Sequence, residues 1–121
     1  MAKSKSPIVG TLPRLKNFKN AIIPRDKINN YLLHPMKSAG KYAYFKALGY
    51  TLQNSKRFIT DVKNGLKENQ AFVFVTNRYG NTKFQVDMNM GIGTVDTVTT
   101  IWQIDKGQTA PRFITAYKKK G

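Results

Sequence analysis

Between Thr82 and Met90 the chain alternates without a break: Phe84, Val86, Met88 and Met90 are apolar, and Lys83, Gln85, Asp87 and Asn89 between them are polar. Successive side chains of a strand point to opposite faces, so this pattern suits a strand with one face on a core and the other open. Its neighbours read the same way. Ala71 to Thr76 is a short apolar, β-branched run, and Asn77 to Asn81 supplies turn residues. Gly91 and Gly93 mark a second turn, Thr94 to Ile104 is rich in Val, Thr, Ile and Trp, Asp105 to Gln108 turns again, and Arg112 to Lys118 makes a last strand. Connections this short leave no room for crossover helices, so the four strands should form an antiparallel meander.

Before Asn69 the period is that of a helix. Pro24 suits a first helical turn, and Ile28, Tyr31 and Leu32 fall on one face. A helix over 24–33 is expected, ended by His34-Pro35 because the residue before proline avoids the helical region. Ser38 can cap a second helix carrying Phe45 and Leu48, with Gly49 as its left-handed stop. A third runs from Asn54 or Ser55 to about Lys67, its stripe of Phe58, Ile59, Val62 and Leu66 opposite the cations Lys56, Arg57, Lys63 and Lys67. Helices first and strands afterwards predict an α+β fold, with N-terminal helices packed on one face of a four-stranded antiparallel sheet. Residues 1–20 read as a flexible basic arm, either a solvated tail or a segment that orders on nucleic acid, and 21–121 as a single α+β domain.

Charge narrows the function. Twenty-one Lys and Arg against six Asp and Glu leave +15 on 121 residues. A field that strong repels itself unless a polyanion is the partner, and nucleic acid is the first candidate. No apolar run approaches the roughly 20 residues of a membrane span, and the lysines at the start are not followed by an apolar signal core. The chain has no cysteine and one histidine. Thiolate nucleophiles, zinc fingers and iron–sulfur sites are thereby excluded, metal sites have too few ligands, and a Ser-His-Asp triad would rest on His34 alone. Gly91 and Gly93 lack the strand-to-helix setting and the Lys-Ser/Thr of a phosphate loop.

What remains is phosphate chemistry done by cations and hydroxyls. Cleavage of RNA by its own 2′-hydroxyl needs proton transfer and cationic donors around the phosphorane, and no metal or other cofactor is expected. A lysine crowded by other cations can move protons, an arginine forks onto phosphate oxygens, and Tyr or Thr can donate. Such residues concentrate in Pro111-Arg112-Phe113-Ile114-Thr115-Ala116-Tyr117. Period two places Phe113, Thr115 and Tyr117 on one face and Arg112 on the other.

Ile23-Pro24-Arg25-Asp26-Lys27 with Tyr31-Leu32-Leu33, Gly40-Lys41 with Phe45 and Gly49-Tyr50, Trp102-Gln103-Ile104-Asp105-Lys106-Gly107 and Pro111 to Tyr117 together carry a resemblance. Over residues 22 to 117 the chain resembles a family of small C-terminal domains of bacterial polymorphic and contact-dependent inhibition toxins, also found in phage-associated proteins. That family's layout is similar to the metal-independent ribonucleases grouped as barnase, EndoU, colicin-type tRNases and RelE. The resemblance implies site residues at Lys41, Arg112, Thr115 and Tyr117. The family's His-Pro pair falls between the Leu-Leu and the Gly-Lys; here His34-Pro35 follows Leu33 directly, leaving His34 as a general base, a helix-end residue or an exposed side chain.

The expectation is therefore a metal-independent ribonuclease toxin domain that cleaves tRNA or another structured RNA. Lys41 and Arg112 would hold the phosphate, Thr115, Tyr117 and His34 would move or orient protons, and Lys37, Lys56, Arg57, Lys63 and Lys67 would bind RNA. An acidic immunity protein is the expected partner and the cytoplasm of a target cell the place of action; otherwise the chain is read as cytoplasmic. The rival readings are a non-catalytic nucleic-acid-binding protein, phage-encoded or chromosome-associated, and a module that docks on an acidic protein.

Overall fold

The computed structural model describes residues 7–37 and 39–120. Strand β1 (Ile8–Leu12) comes first, then helices α1 (Arg25–Lys27), α2 (Ala39–Ala47) and α3 (Ser55–Glu68), then β2 (Ala71–Phe74), β3 (Thr82–Met90), β4 (Asp96–Ile104) and β5 (Arg112–Lys118). The fold is α+β, with one antiparallel sheet in the order β1-β2-β3-β4-β5. No described helix is long and apolar enough to cross a membrane.

The sheet has five strands where four were expected, and the extra one comes out of the segment read as an arm. β1 pairs antiparallel with β2, and Leu15 just beyond it is buried in the core. Arg14 Nε donates to the carbonyl of Lys67 (2.6 Å), and Ile22 bridges to β5 by backbone bonds of 2.8 Å to Pro111 and Phe113. From Ile8 onward the supposed arm is thus part of the domain; residues 1–6 lie outside the described residues.

Alternation in β3 works as the pattern requires. Phe84, Val86, Met88 and Met90 are buried, and across the ladder they meet Trp102, Thr100, Val98 and Asp96. α3 lays Phe58, Val62 and Leu66 on this face, and Gly65 brings it so close to β3 that a Cβ there would run into Met88. Edge-to-face contacts of Phe45 and Tyr50 with Phe58 (5.3 and 5.2 Å) tie α2 and the following loop to α3. Each such fully buried side chain contributes about 1.5–3 kcal/mol from removal of apolar area from water. Gly49 ends α2 with φ 97°, a backbone that favours glycine, and a Cβ there would also lie 2.9 Å from Ile92. Ser38, expected as the cap of α2, lies outside the described residues.

Regular periodicity breaks at two places. The helix expected over 24–33 is a single α-turn, Arg25–Lys27, continued as a π-turn over Ile28–Leu32 in which Leu33 N–H reaches back to the carbonyl of Ile28 (2.9 Å). The wider turn shifts the phase: Ile28, Leu32 and Leu33 are all buried, and Tyr31, expected on the same apolar face, is 43% exposed. In β5 the register pairs Phe113 with Trp102 but Thr115 with Ile101, so a bulge stands between them. Phe113 and Ala116 consequently face the core, Phe113 edge-on to Trp102 at 5.4 Å, whereas Thr115 and Tyr117 pair with Ile101 and Thr99 on the open face. Arg112 pairs with Gln103 and shares that open face, correcting the expected split of Arg112 from Thr115 and Tyr117.

Candidate active site at the β5 edge

β5 is an edge strand, and α1 with its π-turn and the start of α2 lie along it. An edge leaves backbone groups in need of partners, and Lys27 supplies one: its Nζ donates to the carbonyl of Ile114, in the bulge, at 3.0 Å. One residue on, Thr115 Oγ1 accepts a bond of 2.7 Å from Lys41 Nζ. The same ammonium stands 5.5 Å over the ring of Tyr31, the side chain that the π-turn rotates outward. Lys27, Tyr31, Lys41, Ile114 and Thr115 together line an open cavity of about 420 Å³.

Burial first, and the neighbouring charge of Lys27 second, push the Lys41 amine below the ordinary lysine range. No ion pair to Lys41 is found among the described residues. Its contacts are instead a hydroxyl, an aromatic face and another cation, an arrangement that favours release of a proton and attracts an anion. On its other side Lys41 joins Gly40, Tyr44, Tyr117, Lys118 and Lys120 around a second cavity of about 460 Å³. Lys120 Nζ lies 5.6 Å from the Tyr117 ring centroid, and Lys118 pairs with Asp96 at 3.2 Å. Burial, and then the charge of Asp87, push the Tyr117 phenol up, so it remains protonated and able to donate at neutral pH.

Of the residues expected in the site, the structure thus brings Lys41, Thr115 and Tyr117 together. Arg112 does not join them. It lies three residues before Thr115, but the bulge takes up one of them, so the two pair with Gln103 and Ile101, two β4 positions or about 7 Å apart along the strand. The Arg112 guanidinium is engaged by Asp105, with Nε to Oδ2 at 2.7 Å and Nη2 to Oδ1 at 3.3 Å. Gln103 Nε2 donates to the same carboxylate at 2.6 Å. Arg112 and then Gln103 hold the Asp105 carboxyl below the usual carboxylate range, and the pairing raises the Arg112 guanidinium in turn. Trp102 is a core residue, its indole N–H on Thr100 Oγ1 at 2.8 Å. His34 sits in the turn after the π-turn, where its Nδ1 accepts from the backbone N–H of Met36 (3.1 Å), and it lines neither cavity of Lys41.

The cations assigned to RNA binding are dispersed. Lys56 and Lys63 line a shallow cavity with Arg25 that shares no residue with those of Lys41. Arg57 is paired with Asp61 at 3.0 Å. Lys67 and Lys37 are exposed, at the end of α3 and in the turn before α2.

Lys27, Tyr31, Lys118 and Lys120 were not singled out from the sequence as members of the site. Lys27 and Tyr31 are four apart and stand within the Ile23-to-Leu33 motif, a usable signal, but helical periodicity puts Tyr31 on the apolar face. Among the described residues no group of three His, Asp or Glu is placed to hold a metal ion.

An antiparallel sheet backed by helices, with a lysine–threonine–tyrosine cluster at its edge, defines a small basic α+β domain with an anion-attracting site. Residues 14–120 match a family described as a domain of unknown function, DUF6883, and the chain belongs to that family. No curated protein and no solved structure matches the chain.

Proposed function

We propose that this domain is a metal-independent endoribonuclease of the delivered-toxin kind, acting on tRNA or another structured RNA. The observation that carries the reading is Lys41: an amine of lowered pKa, 2.7 Å from the Thr115 hydroxyl and beside Lys27, at the mouth of two open cavities. In the reaction the 2′-hydroxyl attacks phosphorus and the bond to the 5′-oxygen breaks, leaving a 2′,3′-cyclic phosphate and a 5′-hydroxyl. Lys41 in its ammonium form gives its proton to the departing 5′-oxygen, and the 2′-hydroxyl proton passes to solvent. Lys27 stabilises the phosphorane charge, and the Thr115 and Tyr117 hydroxyls donate to its oxygens.

The excess charge of +15 supports an acidic immunity protein as the partner that covers the site. For a delivered ribonuclease the place of action would be the cytoplasm of a target cell. Incubation of the purified protein with total RNA in EDTA tests the proposal: discrete fragments ending in cyclic phosphate are expected. Retained RNA binding with intact RNA would instead select the non-catalytic binder, a reading favoured by the separate cationic patch of Arg25, Lys56 and Lys63.

A further inference from the structure

The open face of the sheet carries a groove of about 740 Å³ that begins where the Lys41 cluster ends, because Thr115 and Tyr117 line both. Register defines its course. Thr115 stands opposite Ile101, Ile101 opposite Gln85 and Gln85 opposite Phe72, a row that runs across four strands rather than along one. Ile101, Ile114 and the ring of Phe74 give the groove apolar and aromatic lining, and Lys83 and Gln85 its polar groups. Asn77 and Asn81 of the hairpin segment also line it.

We propose that this groove is the seat of one unpaired RNA base, next to a phosphate held at Lys41 and Lys27. The inference rests on the reading of the Lys41 cluster as a phosphate site and adds to it that the RNA is single-stranded where it binds. Three features select this occupant. The cations at one end match a phosphodiester, and the apolar lining with the Phe74 ring matches a base, whose π-face stacks on such side chains whatever its identity. Gln85 lies two strands, about 10 Å, from Thr115, a span that one nucleotide covers from its phosphate to the far edge of its base. Asp87 orients that amide: it accepts from Gln85 Nε2 at 3.0 Å and from Thr99 Oγ1 at 2.7 Å, which leaves the Gln85 carbonyl oxygen as an acceptor. A base already paired in a duplex stays stacked inside the helix and does not reach into this groove.

The test uses the full chain and RNA that cannot be cut: a short single-stranded 2′-O-methyl oligonucleotide and the fully paired duplex of the same sequence, compared by fluorescence anisotropy. A duplex has the denser phosphate array, so charge alone would favour it. The groove predicts the opposite order, with the single strand bound at least about tenfold more tightly, and loss of about tenfold for the single strand alone in Phe74→Ala. Gln85→Ala, on a half-exposed residue, serves as the second variant if Phe74→Ala lowers the melting temperature, and is expected to weaken the single strand and not the duplex. Equal or tighter binding of the duplex overturns the inference, as does an unchanged single-strand affinity in both folded variants. Absence of cleavage with the single-strand preference intact would remove the ribonuclease reading and leave the groove standing; absence of binding to either RNA removes both.

Discussion

At its start β5 holds Arg112, and three residues on it meets Lys41 through Thr115. Both cations stand in the motifs picked out along the chain, and both would be natural phosphate ligands. Arg112 is met by a carboxylate that two donors hold in place, so its charge is already answered inside the fold. Lys41 is met by a hydroxyl, a ring and a second lysine, so its charge is answered only when an anion arrives or a proton leaves. The difference lies in the partner rather than in the cation. Charge type and motif membership do not separate a cation held in an ion pair from one left to meet an anion; the group opposite does.

The largest effect that would sharpen this contrast is expected from Lys41→Ala, which should lower RNA cleavage about 10²- to 10⁴-fold with an unchanged circular dichroism spectrum. Arg112→Ala should cost far less activity and little stability, since its ion pair is part-exposed. Equal loss in the two variants, measured side by side on one RNA, would break the comparison.

Thr115→Val keeps the shape and removes the acceptor of Lys41 and a donor to the phosphorane, for an expected fall of about a hundredfold. Tyr117→Phe removes only a donor and should fall less. A loss of melting temperature with full activity in either variant would return that hydroxyl to a structural role.

A smaller signature lies in pH. If Lys41 acts as an ammonium acid, cleavage declines as pH rises through its lowered pKa; a rise there would make the free amine the active form. Stability moves with a definite sign. The unfolded chain binds the Lys41 proton more tightly than the folded one, so folding gains stability as pH rises from the lowered value toward the ordinary lysine value of 10.5. Lys41→Met should flatten that stretch of the melting-temperature profile.

The smallest effect concerns the other end of the strand. The depressed Asp105 carboxyl adds stability above its ordinary value of 3.8, and this is lost as pH falls through the lower folded value. Asp105→Asn should remove that acid-side loss without altering cleavage at neutral pH, and a changed cleavage rate would draw Arg112 back into the site.

Much of this architecture could be read along the chain. β3 and β5 fall where alternation and turn residues put them, and α3 begins at Ser55, one of the two expected starts, and ends one residue past Lys67. These elements are legible because their periodicity is local: a strand with one buried face must alternate, and an amphipathic helix must repeat every three to four residues. The cationic bias and the exclusion of thiol chemistry follow equally directly from composition.

Tertiary structure decided the rest, because each remaining feature depends on what lies opposite rather than on what lies next in sequence. The bulge at Ile114 is a mismatch of register with β4, and it alone separates Phe113 from Thr115 and Tyr117. The π-turn follows from burying Ile28, Leu32 and Leu33 together, and it releases Tyr31 toward Lys41. β1 is a strand because β2 has an edge to offer, although Ile8 to Leu12 shows no clear alternation. Lys41 meets Thr115 across 74 positions of sequence, and Arg112 meets Asp105 across a turn. Local pattern determines the phase of an element, whereas the partner of a charge is settled only when the elements pack.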